Sequence, residues 1–188
     1  MSRQTLALLL VSLVAAVAGV ALYVSTNQSA SLISAKRQPN SDISRAADKA
    51  PQLKFDDIVL KDLAYKPRYL SEWKQPVLVI NFWAPWCAPC RREIPALIEL
   101  QKANADNMQI IGLSFDAVEN VVSFQQKYQM NYPLLLVQAE STQINQYFGN
   151  GSRALPFTAI LNAQREIVYR HNGEVTQQQL QQQIDNLL

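Results

Sequence analysis

VLVINFWAPWCAPCRREIPAL, residues 77–97, decides the reading of this chain. Pro76 opens it, and Val77 to Trp83 form a continuous apolar run with β-branched residues. A run without polar alternation is the pattern of a strand buried on both faces. Beyond the run the period changes. Ile94, Leu97, Ile98 and Leu100 recur at helical spacing, which predicts a helix over Ala88–Ala103. Between strand and helix stand Cys87 and Cys90, the only 2 cysteines in 188 residues.

One close C-x-x-C pair is not a structural disulfide framework, which would spread more cysteines along the chain. Redox chemistry and half of a metal site remain. At a helix start, unpaired N–H groups and the helix dipole stabilise a thiolate. The dipole contributes only about 0.3–1 kcal/mol, less than one pKa unit, so direct N–H···S bonds must supply any further depression. Cys87 is then expected to be the exposed nucleophile. Cys90, one turn further and more buried, is expected to resolve the mixed disulfide. Pro89 suits the first turn, where its missing N–H leaves no bond unmade. A zinc site would need two further ligands, and the sequence offers a single histidine, His171. No metal ligand is therefore assigned. Two thiolates with His171 would make a copper site, which keeps a copper-binding chaperone as the alternative from a binding class.

Outward from this segment, Phe55–Leu60 and Lys66–Leu70 read as a hairpin. Residues 108–115 read as a second buried strand, Val118–Tyr128 as a helix with Val121, Val122 and Phe124 inward, and Pro133–Val137 as a third strand. Thr142–Tyr147 reads as a short helix. Phe157–Leu161 and Glu166–His171 read as two strands joined by a turn at 162–164. Val175–Leu188 reads as a final helix with Leu180, Ile184, Leu187 and Leu188 at helical spacing. Strand–helix alternation closing on a hairpin and a helix predicts an α/β sandwich around a mixed sheet.

Upstream, residues 1–4 form a short n-region carrying Arg3, and residues 5–24 are apolar or small throughout. About 20 helical residues span the ~30 Å hydrocarbon core, so the run fits a transmembrane anchor. Ala16-Val17-Ala18 offers the rival reading, a signal peptide cleaved after Ala18. The apolar run continues past Ala18 without a polar break, which favours the anchor. Residues 25–50 are polar and small and form a flexible linker, leaving 51–188 as the folded domain. The net charge is +2 with no Lys/Arg cluster, so no nucleic-acid footprint is expected.

The segment FWAPWCAPCRREIPAL resembles the thioredoxin superfamily, and more narrowly its TlpA/ResA branch of membrane-anchored bacterial thiol–disulfide oxidoreductases. The resemblance covers about residues 53–188. It implies a thioredoxin-like α/β fold with an N-terminal β-hairpin and a central βα insertion at 115–137. It also implies dithiol–disulfide exchange on client proteins through a Cys87–Cys90 disulfide, with no organic cofactor. By the same resemblance Leu155-Pro156 matches the family's cis-proline beside the cysteines, where the backbone of the preceding residue contacts substrate. Leu155 departs from the Thr or Val common there. Pro85 and Trp86 would shape the client surface around Cys87, with Trp83 serving either that surface or the core. Glu93 matches the acidic residue after the motif, which tunes the cysteines or relays a proton to Cys90. Its bland alternative is a first-turn glutamate stabilised by the helix dipole. Asn81 stands where plain thioredoxins carry a buried Asp. The resemblance places the domain in the periplasm on a single-pass inner-membrane anchor, with a DsbD-type transmembrane electron donor. Candidate clients are apocytochrome c thiols or the copper-site cysteines of an oxidase. Ala88-Pro89 does not fix direction, and tens of millivolts separate a reductant from a disulfide-forming oxidant.

An uncleaved anchor predicts that the mature protein keeps Arg3 and fractionates with membranes. N-terminal sequencing that starts at Gly19 would instead establish a cleaved signal peptide.

Overall fold

The computed structural model describes residues 53–138 and 141–188. The expected n-region, anchor and linker, 1–4, 5–24 and 25–50, lie outside the described residues. Among the described residues no helix is long and apolar enough to cross a membrane.

In chain order the elements are β1 (Val59–Asp62), β2 (Pro67–Tyr69), β3 (Val77–Trp83), α1 (Ala88–Ala103), β4 (Met108–Ser114), α2 (Val118–Tyr128), β5 (Leu134–Leu136), α3 (Ser141–Phe148), β6 (Phe157–Leu161), β7 (Ile167–Asn172) and α4 (Gln177–Asp185). The strands form one 7-stranded sheet in the order β2-β1-β5-β4-β3-β6-β7. β3 runs parallel to β4, in register from Val77–Met108 to Trp83–Ser114, and antiparallel to β6. Every residue of β3 is buried, as its unbroken apolar run requires.

Alternation of side chains along the strands divides the interior into two cores. Val77, Val79 and Trp83 point to the face covered by α1, α2 and α4, against Leu97, Val121 and Leu180. Leu78, Ile80 and Phe82 point to the other face, against Phe148 of α3 and against Phe55, Leu70 and Trp73. Phe82 is the centre of this second core and packs on Phe115, Phe148 and Phe157 at centroid distances of 5.9, 5.6 and 5.4 Å. Trp83 is wholly buried and leans on Phe124 at 5.3 Å, so of its two expected roles it takes core packing.

Two expectations are corrected. The hairpin does not start at Phe55: Phe55–Asp57 is a single 3-10 turn that buries the Phe55 ring, and β1 begins at Val59. The last helix spans neither Val175 nor Leu188. Thr176 caps it, accepting a hydrogen bond from Gln179 N in a capping box, and Asn186 closes it, leaving Leu188 exposed.

Gly112 in β4 marks a close approach. A methyl group there would lie 2.7 Å from Leu134 Cδ2 and 3.0 Å from Trp83 Nε1. Both neighbours are buried, so Gly112→Ala overpacks the contact of β4 with Leu134 and Trp83. A loss of about 1–3 kcal/mol is expected in urea unfolding. Gly151→Ala, whose added methyl meets nothing within 4 Å, is the control. Equal midpoints for the two variants would disprove the overpacking.

Candidate active site

The site begins where β3 ends. Cys87 N donates to Ala84 O at 3.1 Å, and Arg91 Nη1 donates to Pro85 O at 3.0 Å. These bonds tie Ala84–Cys87 into a turn against the start of α1. Cys87 is the N-cap of α1 in an extended conformation, and its Sγ accepts a hydrogen bond from Cys90 N at 3.3 Å. Pro89 falls within the first turn. Cys87 and Cys90 are joined as a disulfide with a Cα–Cα distance of 5.3 Å. The expected order of exposure holds in sign only: Cys90 is at 0% and Cys87 at 5%, so Cys87 shows a rim of surface rather than an open face. Trp86 beside it is 64% exposed, and Pro85 is half-buried.

Glu93 lies deeper on α1. It shares a helix face with Cys90, three residues before it. Its Oε1 accepts from Asn81 Nδ2 at 2.8 Å, and its Oε2 accepts from Val175 N at 3.0 Å. Asn81 also donates to Thr158 Oγ1 at 3.2 Å, on the strand across the sheet. Glu93 is 1% exposed, and α1 has no acidic residue in its first turn. The bland reading as a first-turn, dipole-stabilised glutamate is therefore excluded by position. Burial pushes its carboxyl from 4.5 up to about 7, while the Val175 and Asn81 hydrogen bonds pull the other way and Glu174 adds to the rise. α4 starts at Gln177 because Thr176 is the extended N-cap, and the Val175 amide just before it turns to Glu93. Val175 N–H is spent on a carboxylate 82 residues earlier in the chain.

Leu155-Pro156 is cis, half-buried at Leu155 and buried at Pro156. It sits at the same end of the sheet as the cysteines. Phe82 and Phe157 are register partners, and beyond them β3 leads to Cys87 while the chain before β6 leads back to Pro156. Pro156 O accepts from Gly173 N at 2.9 Å. The segment 173–175 therefore touches both the cis-proline and Glu93, and Arg92 pairs with Glu174 at 2.6 Å on its surface. Sequence reasoning missed this segment, because a backbone amide and an exposed ion pair leave no motif. Thr158 was missed too, though its place opposite Asn81 follows once the register is known. His171, on β7, stacks on Tyr169 at 6.3 Å. Among the described residues no group of three His, Cys, Asp or Glu side chains is placed to hold a metal ion.

A thioredoxin-like fold with a C-x-x-C disulfide at the start of α1 defines the class, a thiol–disulfide oxidoreductase acting on protein thiols and disulfides. A model of the AhpC/TSA family matches residues 46–170, and the chain belongs to that family. It is similar to the thioredoxin-like protein YneN of Bacillus subtilis, 32% identical over 133 residues covering 69% of this chain and 75% of that one. It is also similar to the thiol-disulfide oxidoreductase ResA of Halalkalibacterium halodurans, 29% identical over 67% of this chain and 70% of that one. Among solved structures, a thioredoxin-related protein of Neisseria meningitidis serogroup B superposes with a TM-score of 0.63 at 28% identity, over 68% of this chain and 97% of that one.

The raised Glu93 carboxyl predicts a pH-dependent stability. In the disulfide form the cysteines do not titrate. Below the ordinary value of 4.5 Glu93 is protonated folded or unfolded, and the contribution is complete. As pH rises through about 7 the unfolded chain ionises first, so stability falls. The shift corresponds to about 3 kcal/mol. Glu93→Gln should lose this decline between pH 4.5 and 8 in urea unfolding of the oxidised protein. An unchanged slope would show that Glu93 titrates normally.

Proposed function

We propose that this chain is a membrane-tethered reductase of protein disulfides in the bacterial envelope, working through Cys87 and Cys90. The observation that carries the exchange chemistry is the cap. Cys87 Sγ already accepts Cys90 N–H at the head of a helix, so a thiolate formed there meets a donor and the positive helix end.

In the reduced protein the Cys87 thiolate attacks one sulfur of a client disulfide. A Cys87–client S–S bond forms, the client S–S bond breaks, and the leaving sulfur takes the electron pair and then a proton. Cys90, deprotonated, attacks Cys87 Sγ. The Cys87–Cys90 bond forms and the second client thiol leaves. Two electrons pass from dithiol to client disulfide. Glu93 is the buried acid on the Cys90 face of α1, and with its carboxyl near 7 it exchanges protons at working pH. Trp86, Pro85, Leu155 and Pro156 form the client-facing surface, with the Leu155 backbone as the contact.

The reducing direction and the periplasmic placement rest on the TlpA/ResA resemblance of the cysteine motif, and the anchor rests on the uninterrupted apolar run at 5–24. A DsbD-type membrane donor would restore the dithiol. The clients of this reading are apocytochrome c thiols or oxidase copper-site cysteines.

Two measurements test the proposal. In Cys90→Ala the mixed disulfide on Cys87 has no resolving thiol, so reductant-sensitive client adducts should accumulate on non-reducing gels. Equal adducts in Cys87→Ala would reverse the two roles. The reduction potential of the pair should lie nearer thioredoxin's roughly −270 mV than the roughly −120 mV of the oxidant DsbA. A value at the oxidising end would make the protein a disulfide donor.

A further inference from the structure

The loop that delivers the cis-proline is held by a side chain outside the cysteine site. Asn150 is 1% exposed. Its Oδ1 accepts from Ala154 N at 2.8 Å, and its Nδ2 donates to Ala154 O at 3.1 Å. The carboxamide thus pairs with both backbone groups of one residue, as a neighbouring strand would. Its own backbone is tied as well. Asn150 N donates to Asn145 O at 2.8 Å, and Asn150 O accepts from Arg153 N at 2.9 Å. Arg153 takes a left-handed φ of 54° to close this turn, and its Nη2 donates to Thr142 Oγ1 at 2.6 Å.

The clamp acts on the next residue. Ala154 is fixed by Asn150, and Pro156 O is fixed by Gly173 N. Between them, among the described residues, nothing hydrogen-bonds the N–H or C=O of Leu155. One free donor and one free acceptor therefore stand between two anchored residues, at the sheet end that carries Cys87. An extended client segment with its disulfide at Cys87 would meet that pair.

We propose that Asn150 is the positioning residue of the client contact, setting the direction of the Leu155 N–H and C=O for pairing with the client backbone. The inference rests on the reading of Leu155 as the client contact. Asn150→Asp keeps the size, loses the donor to Ala154 O and places an acceptor against it.

The test compares two disulfides reduced by the dithiol form. One is a ten-residue peptide in mixed disulfide with cysteine, which presents a backbone. The other is hydroxyethyl disulfide, which presents none. For Asn150→Asp, kcat/KM with the peptide should fall about tenfold through KM, the size of effect expected when one orienting hydrogen bond is lost and an acceptor is set against the Ala154 carbonyl. The rate with hydroxyethyl disulfide and the Cys87–Cys90 potential should stay at wild-type values, as should both reactions in Gly151→Ala. A peptide rate unchanged in folded Asn150→Asp overturns the proposal, and so does an equal loss on both disulfides. Amide exchange is the second arm and needs no substitution at Asn150. Ala154 N–H should exchange slowly in the free protein, and Leu155 N–H should become protected when Cys90→Ala holds the peptide as a mixed disulfide. Fast exchange at Ala154 overturns the clamp alone. Absence of protection at Leu155 overturns the contact reading and the proposal with it.

Discussion

β3 is buried at all 7 residues and hydrogen-bonded on both sides, parallel to β4 and antiparallel to β6. The cysteine end depends on that one strand. Its last turn places Cys87 at the head of α1, its inward Asn81 meets Glu93, and its antiparallel partner starts at the cis-proline. A strand with backbone partners on both edges and cores on both faces has no cheap displacement, because a one-residue slip exchanges the two faces. The geometry of the sulfurs thereby rests on a strand buried along its whole length, and the bonds that tie the Ala84–Cys87 turn build on it.

Magnitudes separate the interactions around Glu93. The Arg92–Glu174 pair is short, at 2.6 Å, but both side chains are substantially exposed, and such pairs contribute about 0–1 kcal/mol. Burying an unpartnered carboxylate costs several times that. The bonds from Asn81 and Val175 offset only part of this cost, since desolvation remains the largest influence and the carboxyl ends near 7. Glu93 is thus poised to change charge by its environment, not by its surface neighbour. Its reach is visible at Tyr132, whose phenol is pushed up first by burial and then by the Glu93 charge.

Much of this was legible in residue patterns, and the misses share a cause. β3, α1 and α2 follow from periodicity, and β6 from a short apolar run between turn residues. Cys87 and Cys90 are legible because chemistry at a helix start needs those types at that spacing. Phe55 reads as strand because an aromatic residue has high β propensity. Its ring packs instead into the second core from a 3-10 turn, a tertiary preference that overrides the local one. Val175 lies outside α4 because Thr176, one residue later, is the extended N-cap that closes a capping box with Gln179. Asn150 left only the Asn-Gly pair at 150–151, which signals a turn and says nothing about a carboxamide closing on Ala154. Polar side chains that bond distant backbone have no period, so sequence patterns pass over them.

Asn81 and Glu93 are best understood as one unit. Two carboxylates 2.8 Å apart could not both ionise in a buried site, so an acid at the facing position of β3 would have to share one proton with the acid on α1. An asparagine there does more than avoid repulsion. Its Nδ2 serves an ionised Glu93, and its Oδ1, which no other described residue engages, is an acceptor a protonated Glu93 could use after a turn of the amide. An ionised carboxylate at position 81 could only accept, and so would serve only the protonated state of its neighbour. Locating the acid on the helix also ties it to the element that carries both sulfurs. Its distance from Cys90 is then fixed by helix geometry rather than by the packing of helix on sheet.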